Sequence, residues 1–301
     1  MMQELVAELR TAMRARIANV DWMTPETKRK ALEKMRKFVV KIGYPDRWRD
    51  YSGLRLSADD LYGNVLAASR FNRAWSISRL EGPVDRDAWE MNPQQVNAYY
   101  HPVRNEIVFP AAILQPPFFD PNADMAVNFG AIGAVIGHEI THGFDDQGRK
   151  ADGDGVLQDW WSPQDAMEFD ARAKALAAQY SAIEVLPGAH VNGDQTLGEN
   201  IADLGGVLLA VDAYRLSLAG KPAPVLDGVT AEQRLFYGWA QVWRSITREP
   251  ALRQSLTTDT HSPGIVRARA PFRNVDAWYD AFGITPRDAD YLPPARRVRI
   301  W

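Results

Sequence analysis

There is no cysteine in these 301 residues. That absence excludes disulfides, thiolate zinc fingers, iron–sulfur clusters and a cysteine nucleophile together. An excess of basic charge is missing too. Thirty-five Lys and Arg stand against 38 Asp and Glu, a formal net charge of −3. Nothing in that balance draws the chain to nucleic acid or to an acidic membrane surface. Long apolar runs are also lacking. The longest lies around Phe129–Gly137 and stops at His138, far short of the roughly 18 residues that cross a bilayer. Met1-Met2-Gln3-Glu4 lacks the basic-then-apolar pattern of an export signal, and no Asn-x-Ser/Thr acceptor occurs. The compartment therefore stays open. Histidine is scarce, with five in all. A metal would have to be held by His, Asp or Glu, which makes the placement of those five informative.

What remains is ordinary globular material, 46% hydrophobic and 24% charged, too apolar for disorder. The length predicts two domains or one large one. Amphipathic stripes predict helices over 3–18 (Leu5, Leu9, Ala12, Met13) and 24–42 (Leu32, Met35, Phe38, Val39, Ile42). The second starts at Thr24-Pro25 and ends at Gly43-Tyr44-Pro45. Another helix is expected over 57–80, capped by Ser57. Gln95–Tyr100 and Glu106–Phe109 read as a hairpin. Helical character returns over 124–144, and an Asp- and Gly-rich loop follows over 145–155. Further helices are expected over 163–180, 197–218 and 232–247, with a mostly irregular tail from His261 and one short helix near 274–282. The fold class is mainly α with a small β element. No repeat or low-complexity segment is present.

The decisive segment is His138-Glu139-Ile140-Thr141-His142. On a helix, positions i and i+4 share a face, so two imidazoles there can grip one zinc ion from the same side. Glu139 lies where it can reach a water at the metal without occupying the metal itself. Ile132, Val135 and Ile136 would bury that helix and keep the site dry. Such a site needs a third protein ligand and an open position. The metzincin continuation is excluded, because its Gly and His would fall on Asp145 and Gly148. The other histidines are His101, His190 and His261. A carboxylate source stands out in Gly198-Glu199-Asn200-Ile201-Ala202-Asp203. Glu199 and Asp203 again sit at i and i+4, on an otherwise apolar helix. Carboxylates buried there need a partner, and the pair suggests one ligand and one acceptor behind a ligand. Asp152-Gly153-Asp154-Gly155 reads as a tight turn rather than a calcium loop, since Val156 stands where an EF-hand needs Asp or Asn. Gly130, Gly133 and Gly137 do not fit GxGxxG and read as close helix packing behind the site.

Four ordered motifs then carry a resemblance: Asn97-Ala98-Tyr99-Tyr100, His138–His142 continuing into Gly143-Phe144-Asp145-Asp146, Glu199–Asp203, and His261-Ser262-Pro263-Gly264 followed by Arg267. From about Asn97 to Trp301 the chain resembles the neprilysin-like (M13) zinc metallopeptidases. The resemblance implies a zincin catalytic domain of the thermolysin-like, gluzincin kind over 91–301. It makes 1–90 a helical segment left from the family's second lobe and its linkers. It implies one zinc ion held by His138, His142 and Glu199. Glu139 would be general base and acid, His261 the oxyanion donor, and Asp145 and Asp203 the acceptors behind the ligand histidines. Arg267, Asn97 and the Ala98 backbone would hold the peptide. An apolar S1′ pocket would be lined by Ile113, Phe118, Val135, Val242 and Trp243. The implied function is hydrolysis of oligopeptides before a bulky hydrophobic residue. Family members carry a large helical lobe ahead of the catalytic one, and most of it has no counterpart here. That leaves a fragment or a shortened homologue, and as the alternative a weakly active or non-catalytic peptide-binding relative. Members usually act outside the cytoplasm, which points to a periplasmic or secreted parent, although some bacterial members are cytosolic; the partners implied are oligopeptides, with no nucleic acid.

Overall fold

A computed structural model describes residues 1–301. Helix α1 (Met2–Asn19) buries Leu5, Leu9, Ala12, Met13 and Ile17, the stripe its spacing predicts. Helix α2 (Pro25–Lys37) starts with proline in its first turn, where a missing N–H costs nothing. Thr24 caps no backbone N–H of the helix; its hydroxyl lies 3.3 Å from the Thr27 hydroxyl and 2.6 Å from Asp165. The helix expected to reach Ile42 stops at Lys37. Strand β1 (Val39–Gly43) follows and pairs in parallel with 106–110. A parallel partner more than sixty residues onward competes successfully for the β-branched pair Val39-Val40.

Helix α3 (Leu61–Ser78) is capped by Asp60, which accepts from the Gly63 N–H at 2.7 Å, rather than by Ser57. It contributes no buried side chain. Strands β2 (Tyr99–His101) and β3 (Glu106–Pro110) form the expected hairpin, and the sheet order is β1-β3-β2. The first strand begins later than Gln95, because 92–97 closes into turns through Gln95 N–H to Asn92 O and Asn97 N–H to Gln95 O, both 3.0 Å. Helix α4 (Met125–Asn128), a π-turn at Phe129–Gly133 and helix α5 (Ala134–His142) run on as one rod over most of the expected 124–144.

Helix α6 (Pro163–Ser181) is capped by Ser162. A small hairpin, β4 (Glu184–Leu186) and β5 (Ala189–His190), precedes helix α7 (Leu197–Ser217). Helix α8 (Ala231–Val242) opens with a Thr230/Gln233 capping box and ends five residues before the expected Thr247. Helix α9 (Glu249–Thr258) has no counterpart in the sequence reading. Short helices α10 (Gly264–Arg267) and α11 (Asp276–Phe282) complete the tail.

One core of 51 buried side chains joins α1 and α2 to α5, α7 and α8. Nothing between Phe38 and Ala98 belongs to it. Within the stretch 1–90, residues up to about 43 are therefore built into the same body as the motif helix, and 44–90 lie outside its core. The chain's last residue is held in that body too. Trp301 packs 5.8 Å from Phe144 and 6.3 Å from Trp22, and Arg16 donates to its carbonyl at 2.8 Å. Helices α5 and α7 touch main chain to main chain. A Cβ on Gly137 would lie 2.9 Å from the Gly206 Cα, so only glycines allow this approach. No helix is long and apolar enough to cross a membrane.

Candidate metal centre

The α5 helix places His138 and His142 one turn apart, and their Nε2 atoms converge to 3.0 Å with ring planes at 88°. Helix α7 brings Glu199 across, its Oε2 lying 3.2 Å from His138 Nε2 and 3.4 Å from His142 Nε2. The other ring nitrogens are engaged from behind. His138 Nδ1 pairs with Asp203 Oδ1 at 2.8 Å and His142 Nδ1 with Asp145 Oδ2 at 2.7 Å. A carboxylate only accepts, so each neutral imidazole carries its proton on Nδ1 and turns the Nε2 lone pair inward. Three lone-pair atoms then face one another in a buried place. Glu199 Oε2 is buried, close to imidazoles, and hydrogen-bonded by none of them. A cation resolves that arrangement. Two imidazole nitrogens and one carboxylate oxygen with an open position form a catalytic zinc donor set. These three residues are also the group in the chain whose donor atoms gather closely enough to hold an ion.

The electrostatics follow the same geometry. Burial raises the Glu139 pKa above the usual carboxylate range, with the two histidines opposing. Burial works against charge on His142, yet Asp145 and Glu199 hold it well above the ordinary imidazole value. His138 is raised as well, through Asp203 and Glu199, against burial and the like charge of His142. Glu199 is pushed far down despite its burial, by His138, His142 and His261.

Asp203 has a second partner. Arg267 clasps it with Nε at 2.9 Å and Nη2 at 2.7 Å, and its guanidinium lies 3.7 Å over the Trp243 ring. The donor expected to hold a peptide carbonyl thus spends two of its arms on the protein, leaving Nη1. His261 Nε2 lies 3.1 Å from Glu199 Oε2, and its Nδ1 lies 3.0 Å from Asp259 Oδ1. Burial lowers its pKa, and Glu199 more than offsets that. Asp259 went unnoticed in the sequence, where an aspartate two residues before His261 was the available signal. Ser262 donates to Asn200 Oδ1 at 2.7 Å and ties this loop to α7.

The centre opens into a cleft of about 1410 Å³. Glu139, His261, Arg267, Asn97, Ala98, Ile113, Phe118, Val135 and Trp243 all line it. Val242 does not; it ends α8, half-buried, away from the cleft wall. The tight turn at Asp152 is present, with Oδ1 accepting from the Asp154 and Val156 N–H groups at 2.8 and 3.0 Å.

A sequence model described as Peptidase family M13 matches residues 97–298, and a second of the same description matches 1–45. The chain belongs to peptidase family M13. Among curated relatives, mouse neprilysin is 38% identical over 313 residues, covering 99% of this chain and 41% of that protein. Drosophila melanogaster neprilysin-3 is 36% identical, covering 99% and 39%. Among solved M13-like structures, the Mycobacterium tuberculosis zinc metalloprotease ZMP1 in complex with an inhibitor is 56% identical with a TM-score of 0.98, covering all of this chain and 47% of that one. PEPO from Lactobacillus is 37% identical with a TM-score of 0.91, covering 100% and 46%. The chain thus spans about two-fifths of the length of the curated M13 relatives it matches.

Proposed function

We propose that this chain carries the zinc centre of an M13 endopeptidase that hydrolyses oligopeptides. It does so with Glu139 as general base and acid and with preference for a bulky hydrophobic residue just after the scissile bond. The observation that carries this reading is the convergence of His138 Nε2, His142 Nε2 and Glu199 Oε2 within 3.0–3.4 Å of one another, on the wall of a peptide-sized cleft, beside a buried Glu139.

Zinc bound there would bring the pKa of a water down toward neutrality and polarise a peptide carbonyl. The chain's own groups do the rest. Glu139 accepts the proton of the attacking water and later hands it to the departing amine; its raised pKa suits both tasks. His261, aligned by Asp259 and turned toward the centre, would donate to the oxyanion. Asp145 and Asp203 fix the tautomers of the ligand histidines. Asn97 and Ala98 line the cleft and lead into the edge strand β2, where an extended peptide would add by main-chain bonds, a mode that tolerates many sequences. Ile113, Phe118, Val135 and Trp243 supply the apolar wall that favours a large hydrophobic side chain.

The test is Glu139→Gln in the purified chain, followed with a fluorogenic peptide and by metal analysis. Zinc should stay bound while hydrolysis disappears. Unchanged turnover would reject the mechanism, and absence of zinc from the unaltered protein would reject the site.

A further inference from the structure

Lys34 on α2 is 1% exposed. Lysine is almost never so buried unless it is paired, and its partners here are carbonyls rather than a carboxylate. Nζ donates to Gly143 O at 2.7 Å, Gly148 O at 2.8 Å and Ala151 O at 2.6 Å. Three acceptors use all three N–H bonds of an ammonium. The rings of Tyr100, Phe144 and Trp160 stand 5.4–6.0 Å from Nζ and favour a cation there, while burial lowers the Lys34 pKa to about 7 against the attraction of Asp145 and Asp152. Filling space alone would be better served by Met, which has no charge to desolvate.

The three carbonyls are not scattered. Gly143 ends α5 and directly follows His142. Gly148 and Ala151 close the loop that begins there. Inside that loop, Asp145 Oδ1 accepts from the Gln147 and Gly148 N–H groups at 2.9 and 2.6 Å. Its Oδ2 meets His142 Nδ1. The main chain of α2 at this position also meets the opposite wall of the cleft. The Lys34 carbonyl accepts from Asn105 Nδ2 at 3.1 Å, and Tyr100 of β2 donates to Asn105 Oδ1 at 3.1 Å.

We infer that Lys34 is a positioning residue for the metal centre: it pins the 143–151 loop so that Asp145 holds His142 in its ligating orientation. The inference rests on the reading of His138, His142 and Glu199 as metal ligands. It also accounts for why α2 is built into the same core as the motif helix, since α2 delivers the ammonium.

The test uses the full 301-residue chain and the variant Lys34→Met, which keeps the length of the stem and removes the donors. Zinc affinity is measured by chelator competition, and amide hydrogen exchange is followed in the metal-free protein. Zinc affinity should fall about 10- to 100-fold, the usual loss when a group behind a metal ligand is disturbed. Exchange should quicken in 143–151 while α7 keeps its protection. In an Asp145→Asn background the same substitution should add little further loss of affinity. A variant with lowered melting temperature but native zinc affinity and native exchange in 143–151 would overturn the inference, as would full additivity with Asp145→Asn. Lys34→Gln, which keeps two donors, replaces Lys34→Met if the latter does not fold, with a loss in the same direction expected. If the unaltered chain takes up no zinc, the metal-site reading fails on its own. Unchanged exchange in the metal-free variant would then still refute the role of Lys34.

Discussion

Asp203 stands between Arg267 and His138, accepting two bonds from the guanidinium at 2.9 and 2.7 Å and one from the imidazole at 2.8 Å. One carboxylate therefore ties the C-terminal segment to the metal helix. Burial opposes its charge, and Arg267 and His138 hold its pKa below the usual value all the same. Asp203→Asn leaves the buried guanidinium without a counter-charge, which costs about 3–5 kcal/mol for a broken buried pair. Thermal unfolding of the metal-free variant should show that loss, and a chelator titration should show a zinc affinity about 10- to 100-fold weaker. A stable variant with undiminished affinity would mean that Asp203 does not orient His138.

His261 should behave differently from the ligands. His261→Phe removes the proposed oxyanion donor and should lower kcat by about 10²–10³-fold. Bound zinc should be retained. Asp259→Ala should lower kcat in the same direction by less, since the imidazole remains and only its alignment by the carboxylate 3.0 Å away is lost. Steady-state kinetics alongside metal analysis separates these cases. Loss of zinc from His261→Phe would make it a ligand instead.

The site also predicts how the metal-free chain responds to pH. His142 and His138 have raised folded values. Their contribution to stability is fully present below the unfolded histidine value, about 6.5, and is lost as pH rises through the folded values. Glu199 and Asp203 are lowered, so their contribution is present above the unfolded carboxylate range, about 4, and is lost as pH falls through the folded values. Melting temperature should therefore peak between those limits and decline toward alkaline pH. Zinc needs the imidazole lone pairs, so the added stability it gives should grow over the same rise. Melting curves with and without zinc at pH 5, 6, 7 and 8 check both signs, and parallel curves would contradict them.

Gly206→Ala tests the helix contact directly. The new methyl would sit 2.8 Å from the His138 main-chain N, and no side-chain motion can relieve a backbone clash. Overpacking of this kind typically costs about 1–3 kcal/mol. Here it should also separate α5 from α7, so zinc affinity should drop together with the melting temperature. A stable variant with native affinity would show that the spacing of the two helices is not what sets the donor geometry.

The metal centre was legible because its information is local. A His-x-x-x-His repeat on an apolar helix and a Glu-x-x-x-Asp repeat on another each name a face, and the two faces meet. Helix α1, whose stripe of Leu5, Leu9, Ala12 and Met13 is buried, is readable for the same reason; in α6, Ala171, Ala175 and Ala178 mark the helix but face out, and Phe169, Ala173, Leu176 and Tyr180 form the buried side. What escaped depends on remote partners. Val39–Gly43 looks like the end of a helix until strand 106–110 is present to pair with it. Lys34 looks like a surface charge until three carbonyls from 143–151 surround it. The cap of α3 moved from Ser57 to Asp60 because both residue types cap helices and only local geometry chooses. Helix α9 begins at Glu249-Pro250, buries no side chain and so lacks the apolar stripe that would announce it. The clasp of Arg267 on Asp203 is likewise invisible in sequence, because 64 residues separate the two.

The backbone contact between Gly137 and Gly206 has a corollary. Two helices that meet main chain to main chain leave no space for a side chain between them, so the spacing of their donors should change little as an ion enters or leaves. The emptied and filled proteins should superimpose.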